Sequence, residues 1–237
     1  MLEEIKSWRH AFKIDPARPL SERWIADICE SGTDAIIVGG TEGATIDNVT
    51  ECLAAVRRFS VPCVLEVTEL ESLSPGFDAY FIPVVLNAHN PAYISGLHQQ
   101  ALKAHGQFLK TAEVIGEGYC ILNRDSSAAR RTNADAALDL DDIVAFSRFS
   151  ESVLRMPIFY LEYSGTYGNV DVLKKVSQIL EEAQLFYGGG IQTPEQAAEI
   201  ATWADTVIVG NAIYEDKEEA LKTVNVVKET TRQGKLR

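Results

Sequence analysis

Short apolar runs alternate along the chain with segments of helical periodicity. The runs are rich in β-branched and aromatic residues, and several are apolar at consecutive positions, which is typical of strands covered on both faces. Eight such runs predict strands at Phe12–Asp15, Ala35–Gly39, Pro62–Val67, Ala79–Val84, Gly118–Leu122, Ile158–Tyr163, Leu185–Tyr187 and Thr206–Val209.

Between these strands, apolar side chains recur every three or four residues, as they do on a helix with one buried face. Trp24, Ile25 and Ile28 form one such stripe, and Thr193–Gln196 combines a capping box with proline at the first helical position. About seven helices and eight strands, with no linker-like change in composition, predict one α/β domain over residues 1–237. The expected fold is a (β/α)8 TIM barrel.

The third unit of this barrel is unusually short. Only the 11 residues of Thr68–Asp78 separate strands three and four, and Pro75-Gly76 interrupts them. A full helix hardly fits there, so we expect the third helix to be missing or replaced by an extended segment.

A long polar stretch, Asn123–Leu140, follows strand five. Loops of this length are usually functional or disordered. Its three arginines, Arg124, Arg130 and Arg131, could contact phosphate, but solvated loop positions are the favoured interpretation.

The overall charge narrows the possible functions. The chain has 34 acidic and 22 basic residues, a net charge of −12, which argues against a nucleic-acid-binding protein. No apolar run approaches the ~20 residues of a membrane span, and the first residues lack the features of a signal peptide. The four cysteines are scattered without metal-ligand spacing, so we expect a cytoplasmic protein without disulfides or zinc.

Glycines follow the last two predicted strands. Gly188–Gly190 comes after strand seven and Gly210 after strand eight. In a TIM barrel these two loops commonly bind phosphate, because glycine lets backbone N–H groups approach an anion closely. The sequence therefore predicts a phosphate site at the carboxyl ends of the strands.

Charged side chains end two of the strands. Lys13 and Asp15 share one face of strand one. Lys13 could bind an anion and Asp15 a Mg²⁺ ion, with Thr41 adding an oxygen, or Lys13 and Asp15 could form a structural ion pair.

Strand six ends in a second polar group, in which Tyr160, Glu162 and Ser164 share one face. Glu162 is the candidate general base for a substrate hydroxyl. Glu66, at the end of strand three, is the weaker candidate and could be a core or supporting acid.

Five motifs occur together and in order: Phe-Lys-Ile-Asp-Pro (12–16), Gly-Gly-Thr (39–41), Tyr-Leu-Glu-Tyr-Ser-Gly (160–165), Tyr-Gly-Gly-Gly-Ile (187–191) and Val-Gly-Asn (209–211). In these motifs the sequence resembles the geranylgeranylglyceryl phosphate synthase family, and within it the bacterial PcrB branch of heptaprenylglyceryl phosphate synthases. The glycine loops occur in many phosphate-binding barrels, whereas the motif at 160–165 together with Lys-x-Asp is much more specific.

The resemblance implies a modified TIM barrel without a normal third helix. It implies a homodimeric, Mg²⁺-dependent enzyme that transfers a long prenyl chain from a polyprenyl diphosphate to the C3 hydroxyl of sn-glycerol 1-phosphate. It places Mg²⁺ at Asp15 and Thr41. The glycerol phosphate ligands that it implies are Lys13, Tyr160, Leu161, Glu162, Tyr163, Ser164, Gly165, Gly190, Gly210 and Asn211.

A long prenyl donor requires an apolar groove, and small residues on the fourth helix (Gly96, Ala101 and Ala104) could leave room for it. Such a donor also suggests transient contact with a membrane surface. Two alternatives stay open: a sugar-phosphate isomerase, aldolase or synthase on the same kind of barrel, and a non-catalytic module that binds a phosphate ligand.

Overall fold

Eight parallel strands close into a barrel. The computed structural model describes residues 1–233, except for the side chain of Ala112, and the last four residues of the predicted 1–237 domain lie outside the described residues. Within this range each strand pairs with its neighbours in chain order and β8 pairs with β1, which confirms the predicted TIM barrel. The strands are β1 (His10–Ile14), β2 (Ala35–Val38), β3 (Cys63–Glu66), β4 (Ala79–Val85), β5 (Val114–Ile121), β6 (Ile158–Glu162), β7 (Gln184–Gly188) and β8 (Thr206–Val209).

Strand β5 begins four residues before the predicted start at Gly118. Gly116 and Glu117 interrupt the apolar pattern there, yet both pair with β4, opposite Ile82 and Pro83. The barrel hydrogen bonds therefore extend the strand through two residues of low strand propensity, and Glu117 becomes fully buried.

Helices surround the barrel, and their starts follow the capping signals. Thr193 and Gln196 form the predicted capping box, and Asp139 and Asp142 form another. Within residues 1–233 the α-helices are α1 (Leu2–Ile5), α2 (Glu22–Cys29), α3 (Ile46–Val56), α4 (Gly96–His105), α5 (Ser127–Thr132), α6 (Leu140–Arg148), α7 (Val170–Ser177), α8 (Pro194–Ala201), α9 (Ala212–Glu215) and α10 (Lys217–Glu229).

The connection from β3 to β4 contains a three-residue 3-10 helix, Leu70–Ser72, where a full helix would normally lie. Leu73 and Phe77 are buried in this connection, and the Phe77 ring lies 6.1 Å from that of Tyr80 in β4. These side chains cover the outside of the barrel that a third helix would otherwise cover. The structure agrees here with the prediction from the short spacing.

The polar stretch from Asn123 to Leu140 is more ordered than a loop, because it contains α5 and a β-bridge between Ala88 and Ala134. The side-chain amide of Asn87 donates to the carbonyls of Ile121 and Asp135, at 2.7 and 2.8 Å. The stretch is therefore fixed against the barrel rim.

The apolar core has two layers, as strand alternation dictates. Phe12 and Ile14 face the helices, whereas Ala11 lies inside the barrel. Ile5 and Trp8, from α1 and the residues after it, close the amino-terminal end of the barrel beneath Phe81. The carboxyl ends of the strands stay open to a cavity.

Candidate active site

A cavity of about 620 Å³ opens at the carboxyl ends of the strands. It is lined by residues from six of the strand ends and the loops that follow them. The predicted site residues that line it are Lys13, Asp15, Thr41, Tyr160, Glu162, Ser164, Gly165, Gly190, Gly210 and Asn211.

Two predicted substrate-binding residues, Leu161 and Tyr163, lie with their side chains on the other side of the sheet. Leu161 is fully buried in the layer between strands and helices, and the Tyr163 ring lies 5.7 Å from the Tyr187 ring. Strand alternation separates them from Tyr160 and Glu162. Neither residue lines the cavity, and the main-chain N–H and C=O of Tyr163 already bond to Gly188 and Thr166.

Lys13 lies at the floor of the cavity and pairs with Glu66. Its Nζ lies 2.6 Å from Glu66 Oε1 and 5.8 Å from the centre of the Tyr160 ring. Burial alone would lower the pKa of Lys13, but the carboxyls of Glu66 and Glu162 outweigh it and raise that pKa. Lys13 is therefore a fixed positive charge whose partner is Glu66, not Asp15.

Glu162 is surrounded by hydrogen-bond donors. Its Oε2 accepts from the Tyr119 hydroxyl at 2.5 Å, and its Oε1 accepts from the Ser164 main-chain N–H at 2.5 Å and from the Ser164 hydroxyl. The Tyr160 side chain lies beside Glu162 in the same cavity. Burial and the neighbouring Glu162 raise the pKa of both tyrosines well above the usual range, so they remain donors.

Two further residues of β5, Tyr119 and Glu117, lie close to this group, and neither was predicted as a site residue from the sequence. Tyr119 stacks on Tyr160 with ring centres 4.5 Å apart. Glu117 is fully buried, and its carboxyl oxygens have no hydrogen-bond partner among the described residues. Burial and then Glu66 raise the pKa of Glu117 well above its usual range, which favours its protonated form. Tyr119 lies within the predicted strand at 118–122, and strand alternation from Val114 onward places Glu117 on the same face.

The glycine loops form one wall of the cavity. Gly189 and Gly190 have φ values of 138° and 61°, in the left-handed region. A Cβ on Gly190 would lie 2.1 Å from the Tyr167 main-chain nitrogen, so only glycine fits there. Gly210 and Asn211 lie in the adjacent loop after β8 and line the same cavity. This arrangement lets main-chain N–H groups of both loops approach an anion.

Arginines lie at the rim of the cavity. Arg18 donates to Asn211 Oδ1 at 3.1 Å and stacks on the Tyr214 ring at 3.7 Å, while Arg130 lines the opposite side. Arg131 was expected to be solvated, but it pairs with Glu69 and donates to the Thr41 carbonyl at 2.7 Å. The half-buried ion pair is possible because α5 brings Arg131 against the loops after β2 and β3.

The donor set around Asp15 fits a magnesium ion that is shared with a phosphate ligand. A Cβ on Gly40 would lie 2.4 Å from Asp15 Oδ1, so the main chain leading to Thr41 passes directly beside this carboxylate. Among residues 1–233, no three His, Cys, Asp or Glu side chains are grouped to hold a metal by themselves. Mg²⁺ commonly takes one or two carboxylates and completes its shell with water and substrate phosphate oxygens.

A second, mainly apolar cavity of about 380 Å³ continues from the first, and Lys13, Thr41 and Ser164 line both. We call it the groove. Of the small residues named on the fourth helix, Ala101 lines it, while Ala104 is exposed and Gly96 lies against Ala92 outside it. Its apolar and aromatic lining includes Ile82, Pro83, Val85, Tyr93, Leu97, Tyr119 and Ile121, and its polar lining includes Glu66, Glu69, Glu71, His98 and Arg131.

Known proteins share this sequence and fold. Residues 3–228 match the model of the PcrB family. The chain is 56% identical over 232 residues to heptaprenylglyceryl phosphate synthase of Geobacillus kaustophilus (strain HTA426), covering 98% of this chain and 97% of that protein. It is also 56% identical over 227 residues to heptaprenylglyceryl phosphate synthase of Geobacillus thermodenitrificans (strain NG80-2), covering 96% and 95%.

A solved structure shares the fold. It is (S)-3-O-geranylgeranylglyceryl phosphate synthase from Thermoplasma acidophilum in complex with its substrate sn-glycerol-1-phosphate. The TM-score is 0.84 at 24% identity, and the alignment covers 96% of each chain.

Proposed function

The chain belongs to the PcrB family, and from this premise we propose that it is a Mg²⁺-dependent prenyltransferase. It moves a long polyprenyl group, heptaprenyl in length, from polyprenyl diphosphate to the C3 hydroxyl of sn-glycerol 1-phosphate. The products are diphosphate and a prenylglyceryl phosphate, which is an ether lipid precursor. The observation that carries this proposal is the junction of a polar, glycine-walled cavity with an apolar groove across Lys13, Thr41 and Ser164.

The acceptor fits the polar cavity. The Gly190, Gly210 and Asn211 main chain would bind the phosphate, with the charged Lys13 below it. Tyr160, Ser164 and Gly165 line the cavity wall and would lie beside the glycerol. Fixing the acceptor in this way replaces a bimolecular encounter by a positioned one, a major source of rate enhancement.

Glu162 is the catalytic residue in this proposal, because it lines the acceptor cavity and accepts a hydrogen bond from Ser164, which lines both the cavity and the groove. It takes or orients the proton of the acceptor hydroxyl as the C3 oxygen bonds to C1 of the prenyl chain. Tyr119 and Ser164 hold the carboxylate in one orientation through the hydrogen bonds described above. A positioned base of this kind contributes ~10²–10⁴ in rate.

Asp15 and Thr41 would hold Mg²⁺ beside the donor diphosphate. When bound, the ion would neutralise negative charge on the departing diphosphate. Lys13 supplies a second, permanent positive charge at the same end of the cavity. The groove would take the prenyl chain, whose transfer out of water into an apolar cavity is favourable.

We further propose a cytoplasmic homodimer that touches the membrane surface transiently. The cysteines in the described part of the chain are unpaired and buried, which suits a reducing compartment. The donor has a long apolar chain like that of a membrane lipid. An enzyme that uses it must therefore contact the bilayer.

A transfer assay tests the reaction. Purified protein and Mg²⁺ are mixed with labelled sn-glycerol 1-phosphate or its sn-3 enantiomer, and with geranyl, geranylgeranyl or heptaprenyl diphosphate. We expect label in the organic phase only with the sn-1 isomer, most with the heptaprenyl donor, and none after chelation of the metal.

Tight binding of glycerol phosphate without transfer from any donor would contradict the proposal and favour a sugar-phosphate isomerase, aldolase or synthase. Borohydride trapping of a carbonyl substrate would then test for a Schiff base. The raised pKa of Lys13 speaks against that chemistry.

A further inference from the structure

One segment of this acidic chain has the opposite charge. The 34 residues from 79 to 112 contain no Asp or Glu, although the whole chain has 34 acidic residues among 237. The segment carries Lys103 and Lys110, as well as three of the four histidines of the sequence. It therefore forms a weakly basic region on a molecule of net charge −12.

Large apolar side chains are exposed in the same segment. Phe108 is 66% exposed, Leu102 is 55% exposed and Ile94 is 38% exposed. Leu102 lies on α4, and Phe108 lies in the turn directly after it, where its N–H donates to the His105 carbonyl at 2.9 Å. We call Ile94, Leu102, Lys103, Phe108 and Lys110 the α4 surface.

The α4 surface borders the groove. Leu97 and Ala101, on the other side of the same helix, line the groove, and Ala101 is buried there. The outer side of α4 carries Leu102 and Lys103, and Phe108 follows in the next turn; exposed apolar side chains beside lysines are typical of surfaces that bind anionic membranes. The lysine stems reach toward lipid headgroups while the apolar side chains enter the acyl boundary.

We propose that the α4 surface docks on an anionic membrane and brings the mouth of the groove to the bilayer, so that a polyprenyl diphosphate passes from lipid into the groove. This inference rests on the proposed function. Anionic lipid repels the remaining, acidic part of the molecule. The charge pattern therefore also orients the protein so that α4 faces the membrane.

Two acidic residues near the α4 surface do not oppose docking. Lys110 pairs with Glu113 at 2.9 Å, but the lysine side chain is 82% exposed, and such a pair is easily exchanged for a lipid phosphate. Glu71 is exposed and lines the groove rim from the connection after β3. Its carboxylate faces water there, beside the lipid headgroups.

Vesicle flotation tests the proposal with the full-length protein. The vesicles contain equal parts of phosphatidylglycerol and phosphatidylcholine, or phosphatidylcholine alone. We expect binding to the anionic vesicles and its loss at high salt. The double variant L102S/F108S should bind at least tenfold more weakly. K103Q and K110Q should each weaken binding about fivefold.

The matched control is F149S, because Phe149 is also an exposed aromatic residue, 42% accessible, on the π-helical turn Phe149–Val153 that follows α6. This variant should bind vesicles like the wild type. Thermal melting of all variants checks that they are folded. The proposal is overturned if the wild type does not bind anionic vesicles, or if F149S weakens binding as much as L102S/F108S.

Ultracentrifugation and the transfer assay separate this inference from its alternatives. A dissociated oligomer in L102S/F108S, with unchanged vesicle binding, would make the α4 surface a subunit interface and overturn the proposal. With water-soluble geranyl diphosphate, L102S/F108S should turn over like the wild type, and with vesicle-borne heptaprenyl donor it should be slower. If the wild type transfers no prenyl group but shows the expected vesicle pattern, the docking surface stands and the proposed function fails.

Discussion

Glu162 differs from the other buried carboxyls of the site in having donors on both oxygens. One carboxyl oxygen of Glu66 accepts from Lys13 Nζ, and the other has no hydrogen-bond partner among the described residues. Neither carboxyl oxygen of Glu117 has a partner there. An ionised carboxylate inside a protein needs such donors, because burying it unpaired is costly. These donors hold both oxygens of Glu162 in place at the cavity wall, which singles it out among the three carboxyls.

Replacing Glu162 by glutamine keeps the size of the side chain and removes its basicity. We expect kcat to fall by ~10²–10⁴ while glycerol phosphate still binds. Steady-state transfer kinetics and calorimetry of glycerol phosphate binding measure the two effects separately. Unchanged turnover in E162Q would remove Glu162 from the base role.

Glu117 should make folding stability depend on pH. Its pKa is raised in the folded state, so its contribution is fully present below the unfolded pKa of ~4.3 and is lost as the pH rises through the folded pKa. The variant E117Q cannot titrate. Its melting temperature should therefore fall less than that of the wild type between acidic and neutral pH. Parallel pH profiles of the two proteins would contradict a raised pKa for Glu117 in the folded state.

At the scale of elements, α4 separates the groove from solvent, so the size of its inward residues limits the length of a bound chain. A tryptophan at Ala101 fills space in the groove, whereas one at the exposed Ala104 does not. We expect A101W to impair the heptaprenyl donor selectively and to spare the geranyl donor, with A104W as the matched control. The transfer assay with graded donors measures this, and equal loss with all donors would contradict it.

The loop after β7 makes a second prediction at this scale. In G190A the new Cβ meets the main chain of Thr166 and Tyr167, whereas in G32A, at φ 86°, it meets nothing within 4 Å. G32A should cost ~1 kcal/mol of unfolding free energy from the left-handed backbone alone. G190A should cost clearly more and should also lose glycerol phosphate binding. Urea unfolding measures the free energy of unfolding, and calorimetry measures glycerol phosphate binding. Equal losses of unfolding free energy in G190A and G32A would show that the loop after β7 can shift to make room for the added Cβ.

For the whole molecule, His10 ties the barrel to the last helix. Its ring nitrogens lie 2.9 Å from the Thr33 hydroxyl and 3.0 Å from the Thr223 hydroxyl of α10. Burial lowers the pKa of His10 to about 3; Asp34 opposes this shift and Lys228 adds to it. The imidazole is therefore neutral in the folded protein.

Because this pKa is lowered, the stabilisation by His10 is present above the unfolded pKa of ~6.5 and is lost as the pH falls toward 3. The wild type should lose up to about 1.4 kcal/mol per pH unit over that window through this group. Chemical denaturation at several pH values should show a shallower acid slope for H10Q. A slope equal to that of the wild type would mean that His10 is protonated in the folded state.

The sequence determined the barrel, its eight strands and the short third unit, because apolar periodicity, capping residues and spacing are local properties. It also placed most of the cavity residues, since the carboxyl ends of parallel strands meet at one end of a barrel. The tertiary structure alone decided the pairing of Lys13 with Glu66, the donors around Glu162 and the buried position of Glu117. These depend on strand register and on side chains from β1, β3, β5 and β6 that are far apart in the chain. The same holds for the groove, which exists only because α4 and the connection after β3 pack beside the open end of the barrel.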